Sequence, residues 1–375
     1  MKLLILSNNL KEGVEVTSRL TQKSISLPIL SNILLQTEKN FLKISSTDLE
    51  IGIKFWSLAK IEREGQITIP GKILFNLISS LSEEKILLET KDSILKIQGE
   101  NFETKILGQE AQDYPIIPEL KDSFIEIDNS TFIQALSLVA DITAITQIRP
   151  ELSGVYLVFE KDKIIMAASD SFRLAEKQII FQEENSGLEK QAIILPQKTA
   201  RELINILGEK EGKLKIYFSS NQVMFEIEIP ETSHPQVQIT SRLIEGSYPN
   251  YKEIIPQQFQ TQIILNRSEF LDQIKRASLF TGKINEIQLQ ILPKKGQIEI
   301  FSQNPELGEQ KSLLFGKIEG EKLKISFNYR FLMDGLLKIK TSEVIFQLSS
   351  EEGPALLKSI DDETYFYIVM PIKPS

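Results

Sequence analysis

Apolar residues recur along this chain in two alternating rhythms. Where they return every three or four positions, an amphipathic helix with one buried stripe is expected. Three such stretches open three successive parts of the chain: 8–23 (NNLKEGVEVTSRLTQK), 128–143 (DNSTFIQALSLVADIT) and 266–281 (NRSEFLDQIKRASLFT). They start 120 and then 138 residues apart. Asp128 and Asn266 stand where an N-cap side chain would accept from the first free backbone N–H groups. A second helix lies deeper in each part, behind a β-rich run and a turn residue (Pro70, Pro196, Asn328), at 67–81, 193–207 and 325–339. Proline at a helix start loses no needed hydrogen bond, so this entry is physically motivated in two copies, and Asn replaces it in the third.

Between the helices the rhythm shortens to period two, as in LKISS, SILKIQG, GVYLVFE, KLKIYFS, IQLQILP and QIEIFSQ. Such alternation predicts strands with one buried face. Each third therefore reads as two helices plus about eight strands, an α+β fold repeated three times. Segments 113–127 and 248–262 share a Tyr-Pro pair and a second Pro, and read as linkers. The expected domains are 1–122, 123–256 and 257–375.

Composition narrows the chemistry. The chain has 375 residues, of which 41% are hydrophobic and 25% charged, as expected of an ordinary folded protein. No apolar run approaches the about 20 residues a bilayer requires, and the opening MKLLILSNNL is too short for a signal peptide, so a cytoplasmic location is expected. Cysteine is absent, and His234 is the single histidine, which excludes disulfides, thiolate zinc sites, thiol nucleophiles and HExxH centres. A net charge of −8 argues against a surface that is basic throughout. Yet the helical windows 8–23, 71–82, 129–146, 197–208, 267–283 and 329–340 together hold thirteen Lys and Arg against seven Asp and Glu, while the whole chain holds 43 against 51. Positive charge is thus concentrated on one element type, which suits an anionic partner facing the helices.

Eight stretches carry a resemblance: SLPILSNILLQ (26–36), STDLEIGI (46–53), QDYPIIP (112–118), ELSGVYLVF (151–159), AASDSFRLA (167–175), EGSYPNYKEIIP (245–256), ISFNYRFLMDGL (325–336) and YIVMPIKPS (367–375). In this order and spread over the whole length, they resemble the bacterial replicative sliding clamps, the beta subunits of DNA polymerase III. The resemblance implies three clamp-type domains per chain and a head-to-tail homodimer. Its six domains would close a ring around double-stranded DNA without reading sequence. Twelve helices about 10 Å apart give a circle of roughly 120 Å, leaving a bore of about 28 Å after side-chain thickness, enough for a duplex about 20 Å wide.

The resemblance also assigns residues. Facing DNA would be Lys11, Arg19, Lys23, Lys72, Arg149, Lys198, Arg201, Lys275, Arg276, Arg330 and Lys338, whose charges hold phosphate without base readout. The first helix of the second third has no Lys or Arg at all, only Asp141 beyond its capping Asp128, so the field is uneven, and Ser24 stands where some relatives place Arg. A cleft taking peptides of the replicative polymerase, the clamp loader and other clamp-motif proteins would be formed by Leu152, Ser169, Ser171, Phe172, Arg173, Leu174, Pro249, Ile254, Ile284, Asn328, Phe331, Pro354, Ile368, Met370, Pro371 and Ile372. Apolar anchors suit such a groove, and a pliant Met can adapt to several ligands. Ser171 and Phe172 replace a Gly and a His frequent in the family, so a larger, less polar rim is expected; Glu253 replaces an Arg of some members, so a different peptide preference is expected. The strand 102–108 would pair with the partner subunit, with Ile106 and Leu279 as interface anchors.

Two other classes have weaker support. Catalysis would need paired carboxylates, and the best pair is Asp48 and Glu50, two apart on an expected strand; Asp361 to Glu363 reads as a solvated turn. There is no P-loop, GxGxxG or GxSxG motif, and His234 reads as an exposed loop residue. No catalytic residue, metal or cofactor is expected. A monomeric peptide-binding scaffold would share the fold but lack a dimer and a bore.

Overall fold

The computed structural model describes every residue except 22–26, 122–123, 147, 182–189, 231 and 374–375. The expected rhythm of helices and strands is present. In the first third, strands β1 (Lys2–Leu6), β2 (Asn32–Glu38), β3 (Phe41–Thr47), β4 (Ile51–Arg63), β5 (Gln66–Pro70), β6 (Lys85–Lys91), β7 (Ile94–Gln98) and β8 (Glu103–Leu107) accompany helices α1 (Ser7–Ser18) and α2 (Gly71–Ser79). The second third runs from β9 (Phe124–Asp128) to β16 (Pro235–Arg242), with α3 (Asn129–Val139) and α4 (Gln197–Leu207). The last runs from β17 (Thr261–Asn266) to β25 (Tyr365–Val369), with α5 (Arg267–Ser278) and α6 (Tyr329–Lys338).

Both predicted caps are made. Asp128 Oδ1 accepts from the Thr131 N–H at 2.8 Å, and Asn266 Oδ1 accepts from the Glu269 N–H at 3.1 Å. Asn328, predicted as the turn residue before α6, caps that helix by accepting from the Arg330 N–H at 3.0 Å. The window 8–23 is shortened at its end, where α1 stops at Ser18; Lys23 and Ser24 lie outside the described residues.

Tertiary contacts divide the chain into two compact units, Met1–Ile133 with Glu202–Leu243, and Gln134–Arg201 with Ile244–Ser375. The boundary crosses the middle third because strands pair across the junctions between repeats. In the first unit β16 joins β4, with Val237 opposite Phe55, extending one sheet from β8 at one end to β9 at the other. In the second, β25 joins β12 (Arg173–Ile180), with Leu174 opposite Ile368. A separate four-stranded sheet in that unit ends at β20 (Gly308–Phe315), next to which α5 packs.

Helix stripes cover the sheets closely. Gly13 brings α1 so near the first sheet that an added Cβ would stand 2.7 Å from Ile44 Cδ1 and 2.9 Å from Phe55 Cδ1. Gly335 does the same on α6, with Tyr367 Cδ1 2.4 Å from the same construction. Tyr367 is fully buried and donates its hydroxyl to the Phe331 carbonyl at 2.8 Å, so it cannot swing away. Gly335→Ala is therefore expected to destabilise the fold by about 1–3 kcal/mol through overpacking, seen as a lower urea midpoint at unchanged m-value.

Five expectations are corrected. The linker reading of 113–127 fails at its end, where residues 124–127 form β9, alternating outward and inward. The preceding part is packed as well, since Tyr114 is buried and donates to the Asn32 carbonyl at 3.1 Å. Segment 248–262 likewise buries Tyr251 and ends in β17. Asp48 and Glu50 occupy a tight turn, not a strand. There Asp48 Oδ1 accepts from the N–H groups of Glu50 and Ile51, which commits the carboxylate to the backbone. His234 is half-buried, stacked on Phe41 with ring centroids 3.9 Å apart and edge-on to Trp56. Ile106 is 6% exposed and belongs to the core of the first third, so it cannot anchor a partner; the outward residue of β8 is Leu107, 75% exposed. The alternation of β8 assigns the two side chains to opposite faces.

Candidate functional site

The cleft residues assigned from the resemblance all belong to the second unit, and strand register explains how they meet. The turn from β11 (Lys163–Ser169) to β12 is fixed by short polar side chains. Ser169 Oγ donates to the Arg173 carbonyl at 2.8 Å, and Asp170 Oδ1 accepts from the N–H groups of Phe172 and Arg173. Ser171 adopts a left-handed φ of 76°, a strained choice for a non-glycine residue, which presents Phe172 outward at 60% exposure. The same construction stands in the first unit. Leu49 has a φ of 75°, Thr47 Oγ1 donates to the Ile51 carbonyl, and Asp48 accepts the corresponding N–H groups.

The two turns differ in what they present. Past the β12–β25 pairing, the Met370 N–H donates to the Phe172 carbonyl at 2.9 Å. At the first turn the equivalent bond runs from the Arg242 N–H to the Glu50 carbonyl, also at 2.9 Å. One backbone frame thus displays Phe and Met in the second unit and Glu and Arg in the first. Only the former can receive apolar anchors, because burying unpaired charge against a ligand is costly.

Phe172 faces Phe331 of α6, the rings 6.2 Å apart and inclined by 26°. Arg173 lies beside them, its Cζ 4.6 Å from the centre of the Phe331 ring. Its guanidinium bonds Asp170 Oδ2 at 2.8–2.9 Å and Asp334 Oδ2 at 2.5 Å. Burial works against its charge, but Tyr367, Asp170 and Asp334 outweigh burial and hold the group above its usual pKa. With both carboxylates engaged, Arg173 braces the turn against α6 and is not a free charge for a ligand.

The remaining residues sort by exposure. Leu152, Ser169, Leu174 and Ile368 are buried. Leu174 and Ile368 pair across strands and pack with Ala167, Leu356 and Tyr251, so they underlie the groove and are not its surface. Phe172, Ile254 and Ile284 are exposed, while Pro249, Phe331, Pro354, Met370, Pro371 and Ile372 are half-buried. Pro354 flanks Met370 because Ala355 pairs with Val369. The Ile372 N–H donates to the Ser326 carbonyl at 2.8 Å, which ties the chain end to β22 (Leu323–Asn328). Ile284 is held near Asn328 by the bond from the Tyr329 N–H to the Asn285 carbonyl. The strap bearing Pro249 and Ile254 is pinned by Tyr251, whose hydroxyl donates to buried Glu176. Burial and then Glu176 push that phenol far above its usual pKa.

Sequence reasoning missed Asp170, Asp334 and the Tyr251–Glu176 pair. Asp170 was legible from its Asx-turn spacing; the other two depend on partners distant in sequence.

Of the residues assigned to DNA, Lys11, Lys72, Lys198 and Arg276 are exposed on α1, α2, α4 and α5. Several of the assigned residues have partners that the structure shows. Arg19 Nε meets Glu202 at 2.5 Å, Arg149 meets Glu151 at 3.2 Å, and Lys275 stands 3.8 Å from Asp272. Arg330 lies over the Tyr329 ring. Arg201 and Lys338 both reach Asp141 at 3.2 Å. Leu279 caps α5 and is 68% exposed, which removes burial within the subunit as its explanation. Among the described residues no cluster of acidic and histidine side chains could hold a metal ion. No helix among them is long and apolar enough to cross a membrane.

Comparison with known proteins covers nearly the whole chain. Family models for the N-terminal, central and C-terminal domains of the DNA polymerase III beta subunit match residues 1–118, 126–250 and 252–373. The beta sliding clamp of Staphylococcus epidermidis is 27% identical over 94% of this chain and 95% of its own length. That of Synechococcus elongatus is 27% identical over 100% of this chain and 99% of its own. The sliding clamp structure from Bacillus subtilis, 26% identical, superposes with a TM-score of 0.93 over 100% of both chains. The Thermotoga maritima beta subunit structure, 25% identical, gives 0.91 over 100% of both. With three clamp domains in sequence order, this chain belongs to the DNA polymerase III beta subunit family, the bacterial sliding clamps.

Proposed function

We propose that this protein is a non-catalytic processivity factor that encircles duplex DNA as a head-to-tail homodimer in the cytoplasm. It tethers the replicative polymerase and other clamp-motif proteins through the cleft beside Phe172, Phe331 and Met370. The observation that carries the reading is the match of all three clamp domains, in order, along essentially the full chain. Topology, not affinity, then retains the protein, and basic helices supply exchangeable, sequence-independent contacts with phosphate. We take the domains to run 1–122, 123–256 and 257–375, with a clamp loader opening the ring.

Ring closure has physical support in two sheet ends. Strand β8 ends the sheet of the first unit and β20 ends the four-stranded sheet of the second. Exposed edges invite pairing, and both carry outward apolar residues: Leu107 on β8, Leu313 and Phe315 on β20. Pairing β8 of one subunit with β20 of the next would cover them, with Leu279 at the end of α5 alongside. Leu107 therefore replaces Ile106 as the anchor on that side.

Small-angle X-ray scattering at several concentrations tests the assembly. The expected particle has twice the chain mass of 42.7 kDa and an open centre. A 42.7 kDa particle at every concentration would leave a peptide-binding scaffold as the better account.

A further inference from the structure

Asp141 lies just beyond α3, a helix with neither Lys nor Arg, and two cations from different repeats converge on it. Arg201 of α4 directs Nε and Nη2 to its Oδ1, each at 3.2 Å. Lys338 of α6 directs Nζ to its Oδ2 at 3.2 Å and also donates to the Ser137 carbonyl at 2.8 Å. Asp141 and Arg201 side chains are about half exposed and Lys338 about one quarter, so the contacts exchange readily with solvent and ions. Arg276 on α5, by contrast, makes no ion pair among the described residues and presents its full charge.

We infer that Asp141 is a built-in competitor for DNA phosphate, which occupies Arg201 and Lys338 and keeps the grip of this face on a duplex weak enough for sliding. The inference rests on the reading that these helices face the duplex. A phosphate oxygen and the Asp141 carboxylate seek the same donors. Each cation must leave Asp141 before it can contact DNA fully, and the three groups together present one positive charge where two would otherwise act. A clamp held by topology has no use for tight binding, and a carboxylate among its basic side chains lowers the cost of each phosphate exchange.

The test is binding of a short linear fluorescent duplex to the full-length protein, read by anisotropy across a sodium chloride series. Asp141→Asn is expected to bind about three- to tenfold more tightly near 0.1 M salt, with a salt slope steeper by about 0.9 for each cation released. Adding Arg201→Gln and Lys338→Gln to that variant should remove the gain. In the unaltered background, Arg201→Gln should cost less affinity than Arg276→Gln, because Arg201 is already paired; this comparison decides the matter alone if the Asn variant does not fold. Equal affinity and slope for Asp141→Asn, with Arg276→Gln weakened, would overturn the competitor and leave the duplex-facing reading standing. If Arg276→Gln also binds like the parent, the duplex-facing reading fails and the inference with it.

Discussion

Met370→Ala is expected to weaken binding of a clamp-motif peptide by about tenfold or more, and removal of residues 370–375 to abolish measurable binding, with the dimer unchanged. Met370 is half-buried beside the Phe172–Phe331 pair, and its backbone N–H donates to the Phe172 carbonyl at 2.9 Å. The side chain is therefore held at the groove by a strand extension, and truncating a central apolar contact of this kind costs about 1–2 kcal/mol. Deletion goes further, because it also removes the bond from the Ile372 N–H to the Ser326 carbonyl. Pro371 and Ile372 leave the rim with the deleted segment, and Phe172 loses the strand extension that backs it. Fluorescence anisotropy with a labelled peptide measures the affinity, and scattering mass checks the dimer. Unchanged peptide affinity in both variants would sink the cleft assignment.

Lys275→Glu with Arg276→Glu should reduce retention on nicked circular DNA by about a hundredfold or more. The pair stands exposed in the last turn of α5. Two cations are lost and two anions gained, so contacts that released counterions are replaced by repulsion; each lost phosphate contact alone removes about 0.9 from the salt slope. Asp272, 3.8 Å from Lys275, would then add to the negative field. The measurement is the fraction of protein co-eluting with nicked circles after loading, at several salt concentrations. Normal retention, with a normal dimer, would show that these two residues do not face the duplex.

How much of this was legible in sequence depends on whether a residue's role is local. The helices could be read because burial periodicity and caps act within a few residues, as Asp128 and Asn266 show. The turn at Ser169–Arg173 was recognisable by resemblance, but its likeness to Thr47–Ile51 emerged only in the structure. The two share a backbone and differ in the side chains displayed, Phe172 and Met370 against Glu50 and Arg242. Ile106 was misassigned because an apolar residue on an edge strand can point either way, and a shift of one position reverses the face. The linker readings failed for a similar reason. Prolines mark where the chain bends, but Tyr114 and Tyr251 are buried by sheets whose strands lie far away in sequence.

By itself, the sequence determined the threefold repetition, the α+β alternation, the concentration of basic residues on the helices and the absence of cysteine chemistry. These are properties of composition and short-range periodicity. Tertiary structure alone decided that sheets run on across the repeat junctions, that Leu174 and Ile368 support the cleft from beneath, and that Arg173 is spent on Asp170 and Asp334. It also decided that Arg201 and Lys338 share Asp141. Each of these is a contact between residues distant along the chain, and whether a charge is free or paired depends on which partner the fold brings within about 4 Å.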